Sequence, residues 1–519
     1  MTDPVQQSTN EEIAGGQLLA AVRGGTRKVI AAQVFSQLVT LVTLGILQRW
    51  IPDVQFGLLW MVIPLVLLPR MCTSLGLSIV TVQREKLSDA QCSSLFALNL
   101  CLGLVAAAAT VGLGYLFALI YKQPGLVQIS QWLAGTSILA SLGFLHQALL
   151  ERKMQLGRLV AARVGGQTAG SMLAIAAVIF YPQWAQDWGV WILVWQQYAE
   201  LAVINLAVWW LEPWKPRWPR WRTPLRDLLS FGGLYSASSL LFYLGQTLDK
   251  ILIAWLFGFT KQGQAGLGIY SQSFQLVMKP VQLITVPITS VMLPALSRAQ
   301  SDPQAYRKIA LHFYRMIGVT LLPAGVGMFV VGHDVMAVLA PDWEAAGWFV
   351  TALAPAIMAQ GFVNITGSVL AAAGKTKWLF VASLVICLFL LQGYLTGYWL
   401  GEEIGGITQP SHGALRGMAA SYSLVMVVVV LIPYLSFSCA LVGIRLRDLL
   451  VQVWYPGLAS LIMGAAVWFL LASLPDSWSA WLRLVVVIPV GVGFYMLIAQ
   501  ADVKWLIGQF RRSADLRQL

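Results

Sequence analysis

Apolar runs of about 18 residues or more recur along the whole chain, and each is long enough for a helix to cross a bilayer. Within lipid, a helix satisfies every backbone polar group, because all its hydrogen bonds form inside the segment. The composition agrees, since 58% of the 519 residues are hydrophobic and 11% are charged, unlike a chain whose surface faces water. The sequence therefore predicts an all-α polytopic membrane protein.

We predict about fourteen transmembrane helices, at 27–48, 56–80, 94–121, 125–149, 159–180, 188–211, 229–257, 267–294, 309–333, 345–371, 378–400, 413–441, 450–473 and 481–500. Basic residues cluster in every second connecting segment, whereas the alternate loops hold only Arg49, Lys122, Lys261 and Arg483. The positive-inside rule places the clusters, and with them both termini, in the cytoplasm. We expect no cleavable signal peptide, because residues 1–22 are polar and acidic.

The most basic and most proline-rich segment, WLEPWKPRWPRWRTPLRD (210–227), falls between the sixth and seventh predicted helices. It divides the chain into two lobes of six helices, followed by two additional helices. The predicted regions are an amino-terminal tail (1–22), a first lobe (23–211), a linker (212–228), a second lobe (229–441), two further helices (442–500) and a carboxy-terminal tail (501–519). The linker is either an ordinary cytoplasmic connection or a segment lying on the anionic inner leaflet.

Two proline-interrupted helices, one in each lobe, carry a cation at membrane depth. The first includes the stretch FGLLWMVIPLVLLPR, whose last residue is Arg70. The second includes LGIYSQSFQLVMKP, which contains Lys279. Gly57 and Gly268 each stand twelve residues ahead of the proline beside the cation. Because a charge at the bilayer centre costs roughly 2.5–3.5 kcal/mol on insertion scales, we interpret both cations as functional. Matching interrupted helices indicate the binding site of a transporter, and the cations indicate an anionic cargo.

Several predicted helices carry polar side chains along one face. In the seventh helix they are Tyr235, Ser239, Tyr243, Gln246 and Lys250, and in the eighth they are Gln272, Gln275, Lys279 and Gln282. Spacings of three and four residues align each set on one side of a helix. Such a stripe either bonds a neighbouring helix or lines a watery lumen, and for the Lys279 stripe we favour the lumen. We predict cargo contacts at Lys279, Arg70, Lys250, Gln275, Gln282, Gln246 and Arg163.

Two acidic residues at membrane depth are candidates for ion coupling. One role open to Asp249 is to neutralise Lys279 or Arg70 across the lumen when cargo is absent; pairing elsewhere is another. Glu200 either takes up a proton or a sodium ion or only forms hydrogen bonds. The five cysteines and four histidines show no metal-ligand spacing, so we predict no metal and no cofactor. We interpret His146 as a packing residue rather than a proton relay.

Six stretches, taken in order, resemble the polysaccharide-transport flippases of the Wzx type, which include exporters of O-antigen, exopolysaccharide and colanic acid. They are FGLLWMV (56–62), LGLSIVTVQREKLSDAQCSSLFALNL (75–100), ALLERKMQLGRL (148–159), GQTLDKILIAWLFG (245–258), LGIYSQSFQLVMKPVQLI (267–284) and VMLPALSRAQSD (291–302). The similarity covers about 50–375 and most of both lobes. This family belongs to the multidrug/oligosaccharidyl-lipid/polysaccharide exporter superfamily.

The resemblance implies two six-helix lobes that form a V around a central cavity and open it alternately to the two sides of the bacterial inner membrane. It implies a cargo of oligosaccharide linked to undecaprenyl pyrophosphate, whose charge would meet Arg70, Lys250 and Lys279 in the lumen. In related lipid flippases the two additional helices form a groove for the polyprenyl tail. Membrane lipids, a glycan polymerase and glycosyltransferases are the expected partners.

The nearest alternative is an ion-coupled antiporter of the same superfamily that exports drugs or other small amphiphiles. Against it, the first five predicted helices contain no acid at mid-depth to attract an organic cation. An enzyme is not expected, because the longest outer loop (401–412) offers only Glu402, Glu403 and His412 as catalytic groups. Nucleic acid is not an expected partner either, since the positive charges that make the net charge +12 fall mostly in membrane loops.

Overall fold

The computed structural model describes residues 32–73, 88–153, 155–218, 239–343, 345–405, 410–475 and 477–515. Nearly all of these residues are helical and none of them forms a strand, so the all-α prediction is confirmed. The predicted amino-terminal tail, most of the basic linker and Tyr235 lie outside the described residues.

The helices in the region predicted as the first lobe are α1 (32–50), α2 (Asp53–Thr73), α3 (Asp89–Ile120), α4 (Gly125–Arg152), α5 (Leu156–Phe180) and α6 (Pro182–Leu211). Those of the second lobe are α7 (Ser239–Gly245), α8 (Leu248–Phe257), α9 (Lys261–Arg298), α10 (Pro303–Leu339), α11 (Ala346–Ala372), α12 (Thr376–Gly405), α13 (Pro410–Leu424) and α14 (Ile432–Leu441). A π-helical segment, Val425–Leu431, joins α13 to α14. The helices that follow are α15 (Leu446–Ser473), α16 (Ala480–Ile498) and α17 (Gln500–Asp515).

Eleven membrane-crossing helices, by length and hydropathy, are present in the described parts of the chain, or twelve if the bent pair α7 and α8 forms one span. Helices α1 and α6 occupy the positions of the first and sixth predicted spans without meeting that criterion. In α6 the reason is the polar sequence around Gln196, Gln197 and Glu200. The multi-pass architecture is confirmed, and the count of fourteen stays a prediction.

The seventh predicted span is broken near its middle. Helices α7 and α8 meet at an angle of about 40°, and the chain turns at Gln246 and Thr247 between them. The prediction that Ser239, Tyr243, Gln246 and Lys250 share one face of a continuous helix is therefore wrong. The stripe ends at the turn, and Lys250 lies in the first turn of a second helix that begins at Leu248 and has its own direction.

The two lobes meet where α2 crosses α9. A Cβ atom added to Gly57 would lie 1.9 Å from the carbonyl oxygen of Gln264, and one added to Gly268 would lie 2.2 Å from that of Asp53. No side chain fits at either position, so the two backbones are in direct contact. The glycines that correspond in the two halves of the sequence therefore form the contact between the lobes.

Further contacts between the lobes lie at the same end of α2 and α9. They join the guanidinium of Arg49 to the carbonyl of Val338 (2.5 Å), the hydroxyl of Tyr121 to the carbonyl of Ile251 (3.4 Å), the amide of Gln123 to the carbonyl of Phe259 (3.3 Å) and the ring of Phe56 to that of Trp343 (5.4 Å between centroids). Most of these residues adjoin loops that the basic-residue pattern predicts to face outward. The lobes are thus in contact at the predicted outer end.

His146 packs the beginning of the linker against α4. Its ring is fully buried, and it stacks on Trp209 with 4.3 Å between centroids. Its Nε2 atom lies 3.1 Å from the carbonyl oxygen of Trp214, so the N–H at that position donates to the carbonyl. Lys153 and Glu212 form an ion pair beside it (2.6 Å). These contacts support the interpretation of His146 as a packing residue.

We expect His146→Ala to lower the free energy of unfolding by roughly 2–4 kcal/mol, because it removes a buried ring and its hydrogen bond. The thermal midpoint of the detergent-solubilised protein measures this loss. His146→Phe keeps the ring stacking, so it should restore part of the midpoint. A midpoint of His146→Phe no higher than that of His146→Ala would contradict the packing interpretation.

Candidate functional site

The helices of the first lobe line a half-open cavity of about 620 Å³. All six helices of the lobe contribute to it, and its polar lining comprises Gln33, Ser36, Arg70, Asn99, Ser141, Gln147, Glu151, Arg163, Gln167, Glu200 and Asn205. Three predicted site residues, Arg70, Arg163 and Glu200, are brought together here from three different helices. The other predicted site residues, Lys250, Lys279, Asp249, Gln246, Gln275 and Gln282, belong to the second lobe.

Arg163 is held by two groups of α4 in this cavity. Its Nε and Nη2 atoms each lie 3.1 Å from the side-chain oxygen of Gln147, and Nη2 lies 3.2 Å from a carboxylate oxygen of Glu151. Sequence reasoning missed Glu151, because a charge at the cytoplasmic end of a span resembles an ordinary loop residue. The spacing of four residues between Gln147 and Glu151 was the available signal, since it places both on one helix face.

Arg70 faces a second carboxylate across the same cavity. Arg70 from α2 and Glu200 from α6 both line it and attract each other electrostatically. The lining of the cavity therefore combines two guanidinium groups with two carboxylates, and its formal charges cancel. Such a lining can hydrogen-bond sugar hydroxyls through both donors and acceptors.

The polar residues of α1 and α5 bond each other. The amide nitrogen of Gln167 donates to the backbone carbonyl of Ser36 at 3.0 Å, and the Gln167 side chain also bonds the hydroxyls of Ser36 and Thr40. These side chains join two helices, which is the role expected of polar residues between membrane helices. Ser36 and Gln167 also line the cavity. The same polar residues therefore bond a neighbouring helix and face the cavity.

The polar stripe of α9 becomes more exposed with distance from the closed end of the lobes. Gln272 is buried at 6% exposure, Gln275 and Lys279 are half-buried, and Gln282 is exposed. One turn further, even the apolar side chain of Val286 is 56% exposed. Exposure therefore increases with distance from the crossing at Gly268. Lys279 lies where the buried part of the stripe gives way to its exposed part.

Lys279 differs from the other charged candidates in its surroundings. Of the carboxylates that the structure describes, none comes within 4.0 Å of its ammonium group, whereas Arg163 and Lys250 each have such a partner. A half-buried cation without a counter-charge is unfavourable at membrane depth unless water or an anion reaches it. Among the described residues, Lys279 therefore offers the ammonium most suited to an anionic ligand.

Lys250 and Asp249 are buried and paired with each other. Their side chains are 3% and 0% exposed, and Lys250 Nζ lies 3.0 Å from Asp249 Oδ2. The hydroxyl of Tyr270 donates a hydrogen bond of 2.8 Å to the same oxygen. Asp249 therefore does not neutralise Lys279 or Arg70 in this structure, because the ammonium of Lys250 and the hydroxyl of Tyr270 already bind its carboxylate. Gln246 lies half-buried in the turn just before the pair.

The sequence matches known proteins over most of its length. The family model described as polysaccharide biosynthesis protein matches residues 46–346. The lipopolysaccharide biosynthesis protein WzxC of Escherichia coli (strain K12) is 22% identical over 84% of this chain and 86% of its own length. The teichuronic acid biosynthesis protein TuaB of Bacillus subtilis (strain 168) is 24% identical over 59% of this chain and 62% of its own.

Solved structures share the fold. The lipid II flippase MurJ, in an inward closed conformation, superposes with a TM-score of 0.68 at 13% identity, over 92% of this chain and 99% of that one. An inward-facing multidrug resistance transporter of the MATE family superposes with a TM-score of 0.58 at 13% identity, over 80% and 98%. The chain belongs to the polysaccharide biosynthesis protein family, and its resemblance to the polysaccharide-transport flippases is confirmed.

Proposed function

We propose that this protein is a flippase that moves an oligosaccharide repeat unit, linked to undecaprenyl pyrophosphate, across the bacterial inner membrane by alternating access. The single observation that carries this proposal is Lys279, a half-buried ammonium without a described counter-charge where the polar stripe of α9 becomes exposed. The proposed topology places both termini in the cytoplasm. The family and the biosynthetic roles in the names of WzxC and TuaB support a glycan as cargo.

The proposed site matches the three chemical parts of such a cargo. Lys279, with Gln275 and Gln282 beside it, binds the pyrophosphate, since an ammonium and amide donors are natural partners of phosphate oxygens. The charge-balanced cavity of the first lobe takes the sugars, whose hydroxyls both donate and accept hydrogen bonds. The polyprenyl tail stays in the bilayer, along the two additional helices.

Arg70 extends this site from the other lobe. It lies thirteen residues beyond Gly57, and Lys279 lies eleven beyond Gly268, which places both at roughly 16–20 Å from the crossing along their helices. The two cations therefore lie at comparable depth on opposite lobes. A pyrophosphate that binds Lys279 can draw Arg70 away from Glu200, and Glu200 is then free to exchange an ion. Glu200 is accordingly the proposed coupling residue of the first lobe.

Alternating access follows from the crossing of α2 and α9. Contact at Gly57 and Gly268 closes the predicted outer end, so passage of the cargo outward requires the two helices to part there. Transport is driven by an ion gradient, the membrane potential or consumption of the cargo outside, because the sequence contains no nucleotide-binding P-loop. A glycan polymerase and glycosyltransferases are the proposed neighbours in the pathway.

Deleting the gene should leave lipid-linked repeat units on the cytoplasmic leaflet. The measurement is the share of these units that a membrane-impermeant glycan label reaches in intact spheroplasts. A strain without the glycan polymerase serves as the control, because its units accumulate after translocation and should be labelled. Equal labelling in the two strains would contradict the proposal. Increased sensitivity to organic cations, with normal labelling, would instead favour a drug antiporter.

A further inference from the structure

The buried pair of Asp249 and Lys250 stands immediately after the turn that breaks the seventh span. Lys250 Nζ lies 3.1 Å and 3.0 Å from the two carboxylate oxygens of Asp249, and Tyr270 donates a hydrogen bond to one of them. The two residues are neighbours in sequence, so the pair needs no other helix to form. What the rest of the fold adds is its exclusion from water.

Aromatic rings from both lobes cover the ammonium of Lys250. Its Nζ atom lies 4.1 Å from the ring centroid of Phe274, 5.9 Å from that of Tyr270 and 6.0 Å from that of Trp60. Phe274 and Tyr270 belong to α9 in the same lobe, whereas Trp60 belongs to α2 in the other. One wall of this enclosure therefore crosses the boundary between the lobes.

Trp60 lies within the contact that closes the predicted outer end. The next residue, Met61, packs so closely on the end of α8 that a Cβ atom at Gly258 would lie 2.4 Å from its Cε atom. One turn before Trp60, Gly57 touches the backbone of Gln264. Separation of the lobes at this end would carry Trp60 away from Lys250 and admit water to the pair.

A buried ion pair is a weak source of stability, because the loss of hydration opposes the attraction between its charges. The hydrogen bond from Tyr270 and the aromatic faces offset part of that loss. Opening the gate returns both charges to water, and this gain partly compensates for the apolar contacts that opening removes. The pair therefore keeps the closed gate from being too stable to open.

We propose that the buried pair of Asp249 and Lys250 destabilises the closed state of the outer gate and so favours opening, as a compressed spring would. The closed gate holds the pair dry beneath Trp60, and opening hydrates it and presents the Lys250 ammonium to the anionic head group of the departing cargo. The second step rests on the proposed function, whereas the first concerns the gate alone. Lys250 thus becomes a cargo contact of the open state and is withheld from the lumen in the closed one.

Double electron–electron resonance measures distances across the gate and tests this proposal on the full-length protein in lipid nanodiscs. Spin labels at Gly125→Cys and Lys261→Cys, in a cysteine-free background, report the separation of the lobes at this end. Both positions are exposed, and a Cβ atom at Gly125 meets nothing within 4 Å. The distance is measured without cargo, so the result is independent of whether the proposed cargo is correct.

Lys250→Met leaves Asp249 buried without its partner, so we expect the long-distance population to rise several-fold. Adding Asp249→Asn removes the stranded charge and with it the whole buried pair, so the open population should fall below the wild-type level. Trp60→Ala removes an aromatic contact between the lobes and should also favour the open gate, whereas Trp60→Phe keeps a ring there and should not. An open population at or above the wild-type level in the double variant Asp249→Asn/Lys250→Met would overturn the inference. If the gate responds as expected but the wild type ignores added lipid-linked glycan, the proposed cargo is wrong and the spring stands.

Discussion

Replacing Lys279 with methionine is expected to slow glycan translocation by about 10- to 100-fold, because a hydrogen bond to a charged group contributes about 1.5–3 kcal/mol. Methionine keeps much of the side-chain volume and removes the charge. The ammonium has no described carboxylate within 4.0 Å, so its loss strands no buried acid in the described structure. The rate of labelling of lipid-linked glycan at the outer face measures the effect, with the membrane level of the variant determined in parallel.

Lys261→Met is the matched control for this variant. Lys261 begins the same helix, α9, and is exposed at the predicted outer end, so its loss should leave the rate unchanged. Lys279→Arg retains the charge and should keep a larger share of activity than methionine does. A wild-type rate in Lys279→Met would remove Lys279 from the cargo site and leave its charge at membrane depth without a functional explanation.

Replacing Gly57 or Gly268 with valine is expected to abolish translocation. Added Cβ atoms at these positions would lie 1.9 Å and 2.2 Å from carbonyl oxygens of the opposing lobe, and backbone atoms cannot yield by rotating a side chain. Helices α2 and α9 must therefore separate, so the predicted outer end cannot close. The spin-label distance across the gate should shift to the open population while the protein remains monodisperse in detergent.

Gly112→Val provides the control for a β-branched residue in a membrane helix. Gly112 lies on α3, is exposed, and a Cβ atom there meets nothing within 4 Å. This variant should translocate at the wild-type rate with an unchanged gate distance. Normal closure of the gate in Gly57→Val and Gly268→Val would show that the crossing of α2 and α9 is not the contact that opens and closes.

The sequence predicted the helical spans because hydropathy alone determines which segments can enter a bilayer. The span predicted at 159–180 corresponds to Leu156–Phe180, and that at 345–371 to Ala346–Ala372. The break at Gln246 and Thr247 was not predicted. No proline marks it, and its surroundings, including the burial of Lys250 beneath rings of α2 and α9, depend on tertiary packing that a helical periodicity cannot contain.

The candidate site was predicted in part for similar reasons. Charge at membrane depth identified Arg70, Lys279 and Glu200, since such residues are rare unless they serve a purpose. Which cation has a carboxylate nearby depends on distances between helices, so the pairing of Arg163 with Glu151 emerged only from the structure. The matching glycines were visible in the sequence, but only the crossing of α2 and α9 explains why both positions must be glycine.

The most direct test of a flippase is translocation by the purified protein. Lipid-linked repeat units are reconstituted into both leaflets of liposomes with or without the protein, and a membrane-impermeant glycosidase then digests the units that reach the outer leaflet. We predict that digestion proceeds to near completion in liposomes with the wild-type protein. Protein-free liposomes should stop at the fraction first exposed, and Lys279→Met should proceed beyond it about 10- to 100-fold more slowly than the wild type. Digestion that stops there with the wild-type protein as well, under every ion gradient and membrane potential applied, would contradict the account.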